Sequence, residues 1–131
     1  MSQAKKILII DDEREFCVLI YDYLRPRGYE VAFATNPDAG IETARDLGPD
    51  LILLDIMMPG KNGFEVLKGL KANPKTASIP VVMLTALDDD GSRRNSAENF
   101  SEDYITKPVS CEALMAKIEA VLKRRGHIEK M

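Results

Sequence analysis

The chain alternates between short, uninterrupted apolar runs and longer stretches in which apolar residues recur every three or four positions. Continuous runs bounded by turn residues mark strands buried on both faces, and the 3.6-residue period marks helices packed on one side. The first run, Lys6–Ile10, predicts the central strand, and residues 51–54 and 81–84 predict two more. Pro80 fits the entry to the latter, where its missing N–H can be spared. Glu30–Ala34 is more polar and predicts an edge strand, and Asp103–Thr106 a fifth.

Between the strands, Phe16, Leu19, Ile20, Tyr23 and Leu24 trace the apolar stripe of a first helix, closed by Gly28. Asn36 and Pro37 open a second, with Ile41, Ala44 and Leu47 as its stripe and Gly48-Pro49 as its stop. The turn Pro59-Gly60-Lys61-Asn62-Gly63 leads into a third carrying Phe64, Val66, Leu67 and Leu70. Ser110 caps a last helix with Leu114, Ile118, Val121 and Leu122 inward and the dipole-matching Lys123-Arg124-Arg125 at its end. Residues 88–101 offer only Ala97 and Phe100 as apolar contacts, so a fourth helix there is expected to be weak, short or mobile. Five strands alternating with five helices predict a doubly wound α/β fold with a parallel sheet. It is expected to form a single domain over residues 1–131, with a core at about 5–125 and a frayed tail at 126–131.

Composition narrows the function. At 131 residues, 45% hydrophobic and 30% charged, the chain supports one core. Eighteen Lys and Arg against 21 Asp and Glu leave a net charge of −3, which argues against a direct nucleic-acid footprint or a membrane-binding patch. No apolar stretch approaches the roughly 20 residues of a spanning helix, and Met1 to Lys6 lacks a secretory apolar run, so a cytoplasmic location is expected. Cys17, Cys111 and the lone His127 rule out a disulfide framework and make a zinc site implausible.

Four of the five apolar runs end in a group that handles charge: Asp11 and Asp12, then Asp55, Thr85 and Lys107. Parallel strands deliver their ends to one edge, the crevice where open α/β sheets bind ligands. Three converging carboxylates repel one another, so a cation is expected among them. Oxygen donors select a hard ion, Mg²⁺, Mn²⁺ or Ca²⁺, and few protein ligands suit Mg²⁺ best. A lysine and a hydroxyl suit phosphoryl oxygens. With no Ser or Cys paired to a base at these ends, the nucleophile is a carboxylate, and Asp55, alone on its strand, is the candidate. Taken singly, each residue has a plainer role: Asp11-Asp12 as a helix cap, Thr85 as another, Lys107 as a surface charge, Tyr104 as strand packing, Met57-Met58 as turn filling, and the acidic run 88–90 as a solvated loop.

Taken together, Asp11-Asp12, Asp55 with Met58-Pro59-Gly60 and Gly63, Thr85-Ala86, and Tyr104-Ile105-Thr106-Lys107-Pro108 resemble the receiver domain of two-component response regulators, chemotaxis regulators included, over about residues 5–125. Spacings of 43 residues from Asp12 to Asp55, 30 to Thr85 and 22 to Lys107 are typical of that family. The resemblance implies a flavodoxin-like sheet of order 2-1-3-4-5. It implies that Asp55 is the phosphoacceptor, taking a phosphoryl group from a sensor histidine kinase or phosphotransfer protein. Mg²⁺ would be held by Asp12, Asp55 and the Met57 backbone carbonyl, with Asp11 acting mainly through water. Lys107 and Thr85 would contact phosphoryl oxygens, Tyr104 would move inward as Thr85 shifts, and Lys107-Pro108 would be cis. The same resemblance implies a switch that catalyses only its own phosphorylation and slow dephosphorylation, works as a monomer or weak phosphorylation-dependent dimer, and signals to a target or effector domain through the fourth helix, fifth strand and fifth helix. The chain departs from the family pattern in Phe100-Ser101-Glu102-Asp103, where Gly-Ala-Asp is usual, and in Val109, where an aromatic often follows the proline. Two other functions share the architecture. An interaction module regulated without phosphorylation would not need the full acid, threonine and lysine set, and an aspartyl phosphohydrolase would need an Asp-x-Asp pair and a cap domain.

Overall fold

A computed structural model of the protein describes residues 4–85 and 101–130, with side chains to residue 126. The strands are β1 (Lys6–Ile10), β2 (Glu30–Ala34), β3 (Leu51–Asp55), β4 (Val81–Thr85) and β5 (Asp103–Thr106). Among the described residues the helices are α1 (Arg14–Leu24), continued by a 3₁₀ turn at Arg25–Arg27, α2 (Pro37–Leu47), α3 (Gly63–Ala72) and α4 (Cys111–Lys130), the last of the expected five. The weak segment 88–101, its expected mobility and the acidic run 88–90 lie outside the described residues, Ser101 excepted.

All four strand pairings are parallel, in the expected order β2-β1-β3-β4-β5. The expectation that β1 is central is corrected in one respect. β1 is interior, but the middle place belongs to β3, all five of whose residues are buried. Apolar runs report burial on both faces, which β1, β3 and β4 share, and so cannot rank them.

Alternation along each strand splits the interior into two cores. Ile7, Ile9, Leu51, Leu53, Val82 and Leu84 pack with Cys17, Ile20 and Leu24 of α1 and Leu114, Ile118 and Val121 of α4. Leu8, Ile10, Ile52, Leu54, Val81 and Met83 pack with Ala44 of α2 and Val66, Leu67 and Leu70 of α3. On α1, Leu19 departs from the expected stripe and is 56% exposed, while Cys17 takes the inward position three residues before Ile20.

The punctuation holds in detail. Gly28 and Gly48 take the left-handed conformation, with φ of 97° and 63°. Asn36 accepts the Ala39 N–H, Asn62 the Glu65 N–H, and Ser110 the Ala113 N–H. The backbone of α4 stays helical to Lys130, past the Arg125 at which the sequence places its end. The basic run does more there than match a dipole. Arg124 lies 3.7 Å from Asp103 and 3.8 Å from Glu102, Arg125 lies 3.6 Å from Glu102, and Arg125 also donates to the Ser78 carbonyl.

Asp103 shows what these ions contribute. Burial pushes its carboxyl up, but hydrogen bonds from Lys117 and the Tyr104 N–H, with the nearby positive charge, outweigh it and hold it below the usual carboxylate range. A depressed folded-state value contributes stability that is present above the unfolded value, near pH 4, and is lost as pH falls through the folded one. The pair is partly solvated, so Asp103→Asn is expected to cost under about 1 kcal/mol at pH 7. In urea melts the deficit should shrink as the pH is lowered from 4; a deficit independent of pH would show that the ion pair is not its source.

Candidate functional site

The C-terminal ends of β1, β3, β4 and β5 deliver Asp11, Asp12, Asp55, Thr85 and Lys107 to one edge of the sheet. Asp11, the first residue past β1, is completely buried, and its N–H donates to the Ala34 carbonyl of β2. Asp12 turns outward and is exposed. Asp55 ends β3 at 6% exposure, and one of its oxygens accepts the Met57 N–H at 3.2 Å. Thr85 closes β4 at 1% exposure and accepts the Lys107 N–H on its carbonyl at 2.7 Å. Carboxylate oxygens of Asp11, Asp12 and Asp55 lie within 4.8 Å of one another.

Lys107 reaches into this group from beyond β5, across the cis Lys107-Pro108 bond. Its Nζ lies 2.6 Å from Asp11 Oδ2, 2.9 Å from Glu13 Oε1 and 4.0 Å from Asp55 Oδ2, with the Phe16 ring centroid at 4.6 Å. Burial alone would lower its pKa, but the hydrogen bonds to Asp11 and Glu13 and the charge of Asp55 hold it above the ordinary lysine range. Asp55 responds in the opposite sense. Burial first, and the Asp11 charge second, push its carboxyl up to about 7 despite Lys107 and the Met57 N–H. The charge at the site is therefore under-compensated: one ammonium serves three acids and is not within hydrogen-bond length of the one that needs it most.

That imbalance tests whether a divalent cation fits. Three carboxylates with oxygens in mutual reach, all hard donors and one of them exposed, match an ion that keeps several waters. Neither imidazole nor thiolate enters the group, which excludes a soft-metal reading among the described residues. Cys17 packs below, its thiol donating to the Asp11 carbonyl at 3.4 Å. Burial, then the Asp11 charge, pushes that thiol up to about 12, so it stays protonated and structural.

A model of the response regulator receiver domain matches residues 7–119. The chain belongs to this family. It is 42% identical over 123 residues to the phosphate regulon transcriptional regulatory protein PhoB of Pseudomonas aeruginosa, covering 94% of this chain and 54% of that protein. It is 40% identical over 129 residues to the response regulator PleD of Caulobacter vibrioides, covering 98% and 28% respectively. The chain spans about half the length of the curated relatives it matches first. A CheY-like receiver domain protein from Methanospirillum hungatei superposes with a TM-score of 0.88 at 26% identity, covering 95% of this chain and 98% of that one.

In this receiver the sequence-predicted acids, Thr85 and Lys107 all arrive at one edge, while Tyr104 lies on edge strand β5 at 39% exposure. Met57 is 64% exposed on the turn after β3. Two neighbours escape a reading of the sequence alone. Glu13 completes an acidic run with Asp11 and Asp12, yet it reads as a helix-start charge. Phe16 reads as core, yet it lies against the lysine. The only available signal was the length of that acidic run, which exceeds what capping one helix requires. No helix of the described residues is long and apolar enough to cross a membrane.

Proposed function

We propose that this receiver is a phosphoacceptor switch in which Asp55 takes a phosphoryl group from the phosphohistidine of a sensor kinase or phosphotransfer protein. The observation that carries this reading is the convergence of Asp55 with Asp11, Asp12 and Lys107 at the end of a parallel sheet. An oxygen of the ionised Asp55 attacks phosphorus, a P–O bond forms, and the P–N bond breaks with its electron pair left on the imidazole. Lys107 then neutralises a phosphoryl oxygen, and the Thr85 hydroxyl turns to another. Asp12, Asp55 and the Met57 carbonyl would hold Mg²⁺, or Mn²⁺, with Asp11 acting through water. When bound, the ion neutralises the acids and the developing phosphoryl charge. Hydrolysis of the acyl phosphate resets the switch, so the chain catalyses only its own modification and acts in the cytoplasm as a signalling device.

The doubly charged product biases the equilibrium between two positions of the Thr85 hydroxyl. Tyr104, 39% exposed on β5, moves toward the space Thr85 leaves, and the surface that includes β5 and α4 changes its affinity for a target or effector domain. The protein works as a monomer or a weak phosphorylation-dependent dimer, with no direct contact to nucleic acid or membrane. Beryllofluoride, a mimic of an aspartate-bound phosphoryl group, is expected to shift backbone amide resonances around residues 55, 85 and 107 in the presence of Mg²⁺. It should leave Asp55→Ala unchanged. An unperturbed native spectrum would instead favour an interaction module regulated without phosphorylation.

A further inference from the structure

A lysine ammonium carries three donors, and their placement decides which acid it serves. On Lys107 two are committed on the α1 side, to Asp11 at 2.6 Å and Glu13 at 2.9 Å. Asp55, at 4.0 Å, is about 1 Å beyond hydrogen-bond length. Asp11 is buried within the acid cluster, so its claim on the lysine belongs to the site already described.

Glu13 is a different case. Its side chain is 64% exposed, stands outside the three-acid group, and makes no capping hydrogen bond although it occupies the N-cap of α1. Its backbone is nonetheless anchored. The Glu13 N–H donates to Asp11 Oδ1 at 2.9 Å, and its carbonyl accepts the Cys17 N–H at 3.1 Å. The main chain therefore holds Glu13 beside the lysine, while the carboxylate is free to leave it for water. A cavity lined by Glu13, Phe16, Lys107, Pro108 and Val109 opens beside the pair.

We propose that Glu13 is a positioning residue whose carboxylate competes with an oxyanion on Asp55 for the Lys107 ammonium, and so sets how tightly the site holds a phosphoryl group. This rests on the phosphoacceptor reading of Asp55. With Glu13 engaged, Lys107 leans toward α1; an incoming phosphoryl group must draw it away. An exposed carboxylate–ammonium pair is weak enough to yield and strong enough to be felt, and the competition is worth about two- to fivefold in affinity.

The test is the dissociation constant of beryllofluoride with Mg²⁺, read by amide resonances, for the parent protein, Glu13→Gln, Glu13→Asp and Glu15→Gln. Glu15 bears the same charge on the first turn of α1 but, among the described residues, makes no bond to Lys107. Both Glu13 variants are expected to bind about two- to fivefold tighter, and Glu15→Gln to match the parent. Glu13→Asp is the decisive arm, because it keeps the charge and shortens the reach by one methylene. The Lys107 Nζ resonance should shift in both Glu13 variants before any ligand is added, and a merely structural role for Glu13 would leave it in place. Tightening in Glu13→Gln and Glu15→Gln but not in Glu13→Asp would reduce the effect to general charge and overturn the proposal, as would unchanged or weaker binding in both Glu13 variants. A parent protein that binds no beryllofluoride would bring down the phosphoacceptor reading and this inference with it, an outcome distinct from the others.

Discussion

In metal-free buffer at pH 8, Asp55→Asn is expected to unfold at a higher urea concentration than the parent protein. The parent carries a carboxyl at 6% exposure beside the fully buried Asp11, and its pKa is pushed up to about 7. In the unfolded chain the same group titrates near 4. Between those values the folded state binds the extra proton, so stability falls as pH rises from about 4 to 7, and the penalty is fully present above 7. Asparagine keeps the shape and removes the charge. The difference should be on the order of 2–4 kcal/mol at pH 8 and vanish near pH 4, where both forms are neutral. Millimolar Mg²⁺ should then raise the midpoint of the parent more than that of the variant, since a ligand stabilises only the state that binds it. Equal midpoints at pH 8 without metal would show that Lys107 already satisfies the cluster, and would remove the electrostatic argument for an ion.

The second large effect falls on a residue with no side chain. Gly63 begins α3 and donates its N–H to the Ile56 carbonyl at 2.7 Å, tying the helix to the turn that follows Asp55. A Cβ at this position would lie 2.5 Å from the Asp55 carbonyl oxygen and 2.7 Å from Ile56 Cα. Both obstacles are backbone, so neither can rotate away. Gly63→Ala is expected to cost about 1–3 kcal/mol through the forced shift. Because the displaced segment carries Asp55, beryllofluoride affinity should fall roughly ten- to a hundredfold. Gly69, further along the same helix, is the control. An added Cβ there meets only Ile41 Cδ1 at 3.8 Å, so Gly69→Ala should leave the site alone and gain up to about 1 kcal/mol of helix propensity. Identical affinities for the two alanine variants would refute the coupling between Gly63 and Asp55.

Much of the architecture was legible because it depends on local chemistry. The apolar runs report burial on both faces, Asn36, Asn62 and Ser110 offer side-chain acceptors where helices begin, and Gly28 and Gly48 accept positive φ where helices end. Positions that needed a neighbour to interpret were misjudged. Leu19 belongs to the helical period of α1 but faces out, and nothing in that period announces that the smaller Cys17 lies inward. Glu102, legible only as a departure from a family pattern, and Asp103, legible also as the start of a strand, turn out to anchor Arg124, Arg125 and Lys117 of α4.

The same division runs through the site. Strand ends and residue types alone determined that three acids, a threonine and a lysine would share one edge, because a parallel sheet leaves its C-terminal ends nowhere else to go. Only the tertiary structure decided how the charge is divided among them. It buries Asp11 and exposes Asp12, sets Lys107 on Asp11 and Glu13 short of Asp55, and brings the α3 backbone so close that residue 63 must be glycine. The physical reason is range. Periodicity and capping act within a few residues, whereas Coulomb energies and steric contacts depend on distances between atoms dozens of residues apart, which do not exist until the chain has folded.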